Sequence, residues 1–142
     1  MAYTPIDKPS NFFNTVLWTA NGSGATVAGV GFQPDLVFQK CRTNTYAPVV
    51  VDSIRGVQKE MYSDDTNANT TVSAGLTAFN SDGFVYGTAA QWANNGNDWV
   101  AWNWKAGTSM SGNTTGSGTA KSYSGSKNTT SGFAIVKYTG NG

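Results

Sequence analysis

The sequence predicts an all-β protein built as an antiparallel β-sandwich or jelly roll. Three observations predict it. Hydrophobic residues reach 39% and aromatics 13%, yet charged residues are only 12%, about half the usual share. Ser, Thr, Asn and Gly supply the missing polarity, and with the aromatics they favour strands and turns over helices. No segment keeps a helical period, and about eight to ten short runs of strand character recur between turn signals. A chain of 142 residues is long enough to bury one core.

The elements follow in order. Residues 1–14 hold two prolines among polar residues and read as an extended arm. Thr15 to Thr19 (TVLWT) is a strand, and Ala20 to Gly24 is a turn with Asn-Gly at its centre. Thr26 to Val30 is a short strand interrupted by glycine, and GFQPD turns at Pro34. Asp35 to Cys41 is the next strand, and Ala47 to Asp52 follows with a VVV run that suggests burial on both faces. Ser53 to Tyr62 reads as strand, turn and strand around Gly56, with Asp52 and Arg55 placed to form an ion pair there. Ser63 to Thr70 is a loop, Thr71 to Phe79 alternates as a strand, and Asn80 to Gly83 turns into Phe84-Val85-Tyr86. Gln91 to Asn97 is a turn-rich loop before Asp98 to Lys105 (DWVAWNWK), the most emphatic strand. From 107 to 131 the chain is almost entirely Gly, Ser, Thr, Asn and Lys, which predicts a linker or exposed turns. Gly132 to Tyr138 restores strand character. The division is therefore an arm over 1–14, a sandwich over 15–106, a linker or loops over 107–131, and a last strand over 132–142.

Composition also excludes function classes. The net charge is +1 with scattered Lys and Arg, so no basic patch is present to neutralise phosphates, and nucleic acid is not an expected partner. The absence of His removes the commonest general base and transition-metal ligand. With no nucleophile–base pairing either, no enzyme activity and no cofactor or metal is expected. Cys41 stands alone in an apolar run and reads as a buried free thiol. The N-terminus shows no basic-then-apolar signal pattern, and no run is long enough for a transmembrane helix.

Two stretches nearly coincide. VLWTANG spans Val16 to Gly22, and VKYTGNG spans Val136 to Gly142. Three readings stay open: two unrelated strands happen to end in common Asn-Gly turns, the last strand closes the sheet that TVLWT opens, or it begins a second copy of a module of about 120 residues.

The phrases GVGFQPDLV (29–37), FNSDGFVYG (79–87), VAWNWKAG (100–107) and GFAIVKYTGNG (132–142) resemble a domain family of structural proteins from marine, cyanophage-type bacteriophages. The matching residues include Gly31, Phe32, Pro34, Asp35, Leu36, Val37, Lys40 and Arg42, then Asp52, Ser53, Arg55 and Gly56, then Trp102 to Gly107. Phe38 departs from the Trp common in the pattern, and Cys41 from a polar residue. The resemblance implies concanavalin- or laminin-G-like sandwich domains in a virion protein, made in the host cytoplasm and released by lysis. It implies a module of a tail fibre, spike or other appendage, contributing to assembly and host attachment. Other virion proteins, like copies (a trimer in a fibre) and a host-surface glycan are its expected partners. A capsid decoration protein and a secreted carbohydrate-binding module are the alternatives.

Two candidate sites emerge from the residues. In DWVAWNW the strand period puts Trp99, Ala101 and Asn103 on one face and Val100, Trp102 and Trp104 on the other. The second set is expected in the core. Trp99 beside Asn103, with Trp92, Asn94 and Asn95 in the preceding loop, then forms an exposed stacking platform for a glycan or a protein partner. The arm residues Tyr3, Pro5, Ile6, Pro9, Phe12 and Phe13 are expected to dock on a neighbouring subunit, because an unpaired extended arm can add to a sheet edge. Asp64 and Asp65 read as a solvated loop.

Overall fold

The computed structural model describes residues 6–140, and these form an all-β sandwich of twelve strands, β1 to β12, with a short 3-10 turn at Pro9–Asn11 and one α-helical turn, α1 (Ala90–Ala93). The large sheet has the order β1-β9-β3-β4-β5-β6. Its strands are Phe13–Thr19, Asp98–Trp104, Leu36–Cys41, Val49–Asp52, Lys59–Tyr62 and Thr70–Thr71. A three-stranded sheet of β2 (Ala25–Ala28), β8 (Gly83–Tyr86) and β7 (Leu76–Asn80) faces it. All pairings are antiparallel.

The core lies between these two sheets. Val16, Val37, Val49, Val51 and Ala101 from the large sheet meet Val27, Leu76, Phe84 and Tyr86 from the small one, with Trp92 of α1 closing one side. Each such aliphatic or aromatic side chain contributes roughly 1.5–3 kcal/mol when fully buried. The turn at Asn21-Gly22 does not make a hairpin. It carries the chain from β1 in one sheet to β2 in the other, with Gly22 at φ 84° and its N–H donated to the Ala93 carbonyl. The Asn80–Gly83 turn does make the β7–β8 hairpin. Its Asp82 carboxylate accepts the N–H groups of Gly29 (3.1 Å) and Gly31 (2.6 Å), which pins the β2–β3 connection.

Two expectations are corrected here. Residues 107–131 are not a linker: they contain β10 (Thr108–Asn113) and β11 (Ser122–Asn128), which with β12 (Phe133–Tyr138) form a third antiparallel sheet. Apolar alternation is absent from β10 and β11, so the period that marks a strand was missing. Backbone pairing between sequence neighbours builds this sheet instead, helped by turn chemistry. Asn128 Oδ1 accepts the N–H groups of Thr130 and Ser131, and Gly132 adopts φ 71°.

The described part of the arm is also not free. Phe13 opens β1 opposite Trp104, their rings 4.9 Å apart, and the Lys105 N–H donates to the Phe12 carbonyl. Ile6, Pro9, Phe12 and Phe13 line a shallow cleft with Trp104 and Phe133. Trp104 offers these residues an aromatic surface on their own chain. Tyr3 and Pro5 lie outside the described residues.

Candidate functional site

The expected stacking platform is buried. Trp99 is fully buried, stacked on Trp18 at 6.2 Å and tilted against Tyr46 at 5.6 Å, in a small cluster with Ala20 and the buried free Cys41. Asn103 is buried, and its Nδ2 donates to the carbonyls of Asn14 and Ala101. Trp92 is buried between Phe84 and Tyr86. Of the remaining two, Asn94 is half-buried and takes a hydrogen bond from Asn97, and Asn95 alone is exposed. Val100 is buried as expected, but Trp102 and Trp104 are only half-buried, and it is Trp99, Ala101 and Asn103 that point into the sandwich. Alternation shows that a strand has two faces. It does not show which face the second sheet covers, and β9 is apolar on both.

Trp92 Nε1 donates to Glu60 Oε1 at 2.7 Å, and the Tyr62 hydroxyl donates to Glu60 Oε2 at 3.1 Å. Burial pushes the Glu60 carboxyl above its ordinary value, against those two hydrogen bonds. Burial first, and then the nearby Glu60 charge, push Tyr62 up to about 12. This acid ties β5 to α1, so it is a fold-supporting group inside the sandwich.

The motif carboxylates work the same way. Asp35 Oδ1 accepts the Ser53 hydroxyl at 2.9 Å and Oδ2 accepts the Ala106 N–H at 2.8 Å. Asp52 Oδ1 accepts the N–H groups of Ile54 and Arg55, and Oδ2 takes the Arg55 Nε–H at 2.5 Å, so the ion pair expected from sequence is present. The phrases around Asp35, Ser53 and Ala106 thus meet at one end of the large sheet. Asp35→Ala leaves a hydroxyl and a buried N–H without their acceptor. It is expected to lower the unfolding free energy by about 2–3 kcal/mol in urea titrations, with Asp35→Asn losing less. Equal losses for both variants would contradict this account.

The surface with functional potential is the outer face of the large sheet. Strand period leaves Thr15 and Leu17 there from β1, Trp102 and Trp104 from β9, Leu36 and Phe38 from β3, Val50 from β4 and Met61 from β5. The registers align Thr15, Trp102, Phe38, Val50 and Met61 in one row across five strands. The Phe38 and Trp102 rings are 5.4 Å apart. Leu17 is 61% exposed and Met61 40%, while Trp102, Phe38 and Val50 are half-buried. The third sheet packs on the neighbouring row, where Phe133 stacks on Trp104 at 6.0 Å. A cleft of about 340 Å³ remains between β12 and Leu36, Val50 and Met61. Sequence reasoning missed Leu17, Phe38 and Met61 as surface residues. The available signal was that LVFQKC carries apolar side chains at both parities.

Asp64 and Asp65 are exposed, and hydrogen bonds from Asn67 hold the Asp65 carboxyl below the usual carboxylate range. Among the described residues no group of three or more His, Cys, Asp or Glu could hold a metal ion. None of their helices is long and apolar enough to cross a membrane.

Fold and surface together define a β-sandwich module whose motif residues lock its strands and whose outer sheet face is apolar. The chain belongs to the family described as a domain of unknown function, DUF7483, which matches residues 8–142. Compared with curated proteins and with solved structures, it matches none.

Proposed function

We propose that this chain is a structural, non-enzymatic module of a bacteriophage particle, part of a tail fibre, spike or other appendage, which assembles by packing its sheet surfaces against other virion proteins. The observation that carries the reading is the apolar row of Trp102, Phe38, Val50 and Met61 with Leu17 beside it. Contiguous exposed apolar surface with aromatic residues at its centre is the usual chemistry of a protein–protein contact. The sequence resemblance to phage structural proteins supports the same reading. So does the use of the motif carboxylates to hold strands together.

The test is made on purified particles. Mass spectrometry and gold-labelled antibodies are expected to place the chain in an appendage. A Leu17→Asp, Met61→Asp variant is expected to keep its stability within about 0.5 kcal/mol per substitution, as surface changes do. The same variant is expected to be lost from the particles. Absence of the native chain from particles, or normal incorporation of the variant, sinks the proposal.

A further inference from the structure

The cleft of about 340 Å³ beside β12 has two unlike walls. Leu36, Val50 and Met61 of the large sheet, with Ile54 from the turn after β4, form an apolar floor. The other wall is residues 134–138 of β12. These five consecutive residues include both side-chain parities, and no β11 residue lines the cleft. The cleft is therefore bordered by the edge of β12 and not by one of its faces.

That edge is free, because β12 is the outer strand of its sheet. In an antiparallel pair alternate residues turn their N–H and C=O groups away from the partner strand. Among the described residues, 134–138 make no main-chain pairing besides that with β11. A row of unpaired main-chain groups thus looks into an apolar cleft. Such an edge is normally protected by proline, a bulge or several charges. Here there is no proline, the register with β11 is unbroken, and Lys137 is the sole charge.

The unspent charge in the cleft is positive. Its one acid, Asp52, already accepts the N–H groups of Ile54 and Arg55 and the Arg55 Nε–H. Arg55 Nη2 donates to the Val50 carbonyl, and its Nη1 is buried without a hydrogen-bond partner among the described residues. Lys137 is exposed, and the ion pair seen among the described residues does not involve it. Phe133, which stacks on Trp104, shares its side of β12 with Ile135 and Lys137, so that side faces the large sheet.

We propose that the cleft binds an extended segment of a partner protein, which adds to β12 as a further antiparallel strand with an acidic residue opposite Lys137. Two residues on, on the same face, an aliphatic side chain lies opposite Ile135 and against the floor. Main-chain pairing supplies the affinity, and the alternate side chains supply the selectivity. The partner is a different chain. The six outer strands of the three sheets, β1, β6, β2, β7, β10 and β12, contain no Asp or Glu, so a second copy offers no edge of the required charge. The inference stands apart from the appendage reading, because it needs only the module and not the particle.

The test uses the full chain and two blocked peptides, acetyl-TETVTVT-amide and acetyl-TKTVTVT-amide. Saturating TETVTVT is expected to slow amide exchange over 134–138 by about tenfold or more. TKTVTVT, which sets a like charge against Lys137, is expected to bind about tenfold more weakly by anisotropy of a labelled peptide. In a Lys137→Glu chain the preference is expected to reverse. Lys137 is exposed, so that variant keeps its fold, and a reversal is not an effect that altered stability produces. Unchanged exchange over 134–138 with TETVTVT overturns the proposal. So does equal binding of the two peptides, or a preference that Lys137→Glu leaves as it was. Slowing over 134–138 that comes with chain concentration alone, together with a dimer by sedimentation, would make the occupant a second copy and also overturns it.

Discussion

Trp99→Ala is expected to lower the unfolding free energy by about 3–5 kcal/mol, the range for deleting a large buried aromatic side chain. The side chain is fully buried, and its removal opens a cavity between Trp18, Tyr46 and Cys41. Surrounding strands cannot collapse into that space, because β9 is bordered on one side by β1 and on the other by β3. The contrast is Trp102→Ala on the other face of the same strand. Trp102 is half-buried and its main ring partner is Phe38, so a loss of about 1 kcal/mol is expected there. Urea unfolding followed by far-UV circular dichroism measures both. A Trp99 variant as stable as the Trp102 variant would return Trp99 to the surface. The same burial means that any loss of ligand binding in Trp99→Ala would report unfolding and not a lost sugar contact.

The second large effect is at Trp92 and depends on pH. Trp92→Phe keeps most of the ring but removes the N–H that Glu60 accepts. The buried carboxylate then has Tyr62 as its remaining side-chain donor, and about 3 kcal/mol of stability should be lost at pH 7. In the native chain the Glu60 carboxyl lies above its ordinary 4.5, because burial outweighs its hydrogen bonds. Lys59, its neighbour in sequence, is engaged with Thr71, and the ion pair seen among the described residues joins Arg55 to Asp52 instead. The folded chain therefore holds a proton on Glu60 more readily than the unfolded chain does. The contribution of this group to stability is complete below the ordinary value of 4.5 and is lost as pH rises through the raised folded value. Glu60→Gln should flatten that part of the pH profile, and Trp92→Phe should steepen it. Urea midpoints taken across this range check both. A Trp92→Phe loss of equal size at acid and neutral pH would show that the carboxylate is not involved.

The fold class and most strands were legible because they rest on local signals. The TVLWT, DLVFQKC and DWVAWNW segments carry strand residues between turn formers, and they became β1, β3 and β9. The Asp52–Arg55 pair was legible because both partners lie within one turn. Glu60 was not. Its partner Trp92 is distant along the chain, and nothing in KEMY marks the glutamate as buried. The strands β10 and β11 were missed because their residues look like a linker until backbone pairing is counted, whereas β12 was legible as a strand.

Sequence alone determined that this chain is a β-sandwich, where its turns fall, and that its first strand pattern appears twice. Those properties follow from backbone propensity and residue order, which act over a few positions. Tertiary structure alone decided which side of each strand is inside. Strands such as β9 and β3 are apolar at both parities, so either face could be buried without changing a local preference. The second sheet chose the Trp99 face and left Trp102, Phe38 and Met61 looking outward, and that choice moved the candidate site from one side of the sheet to the other.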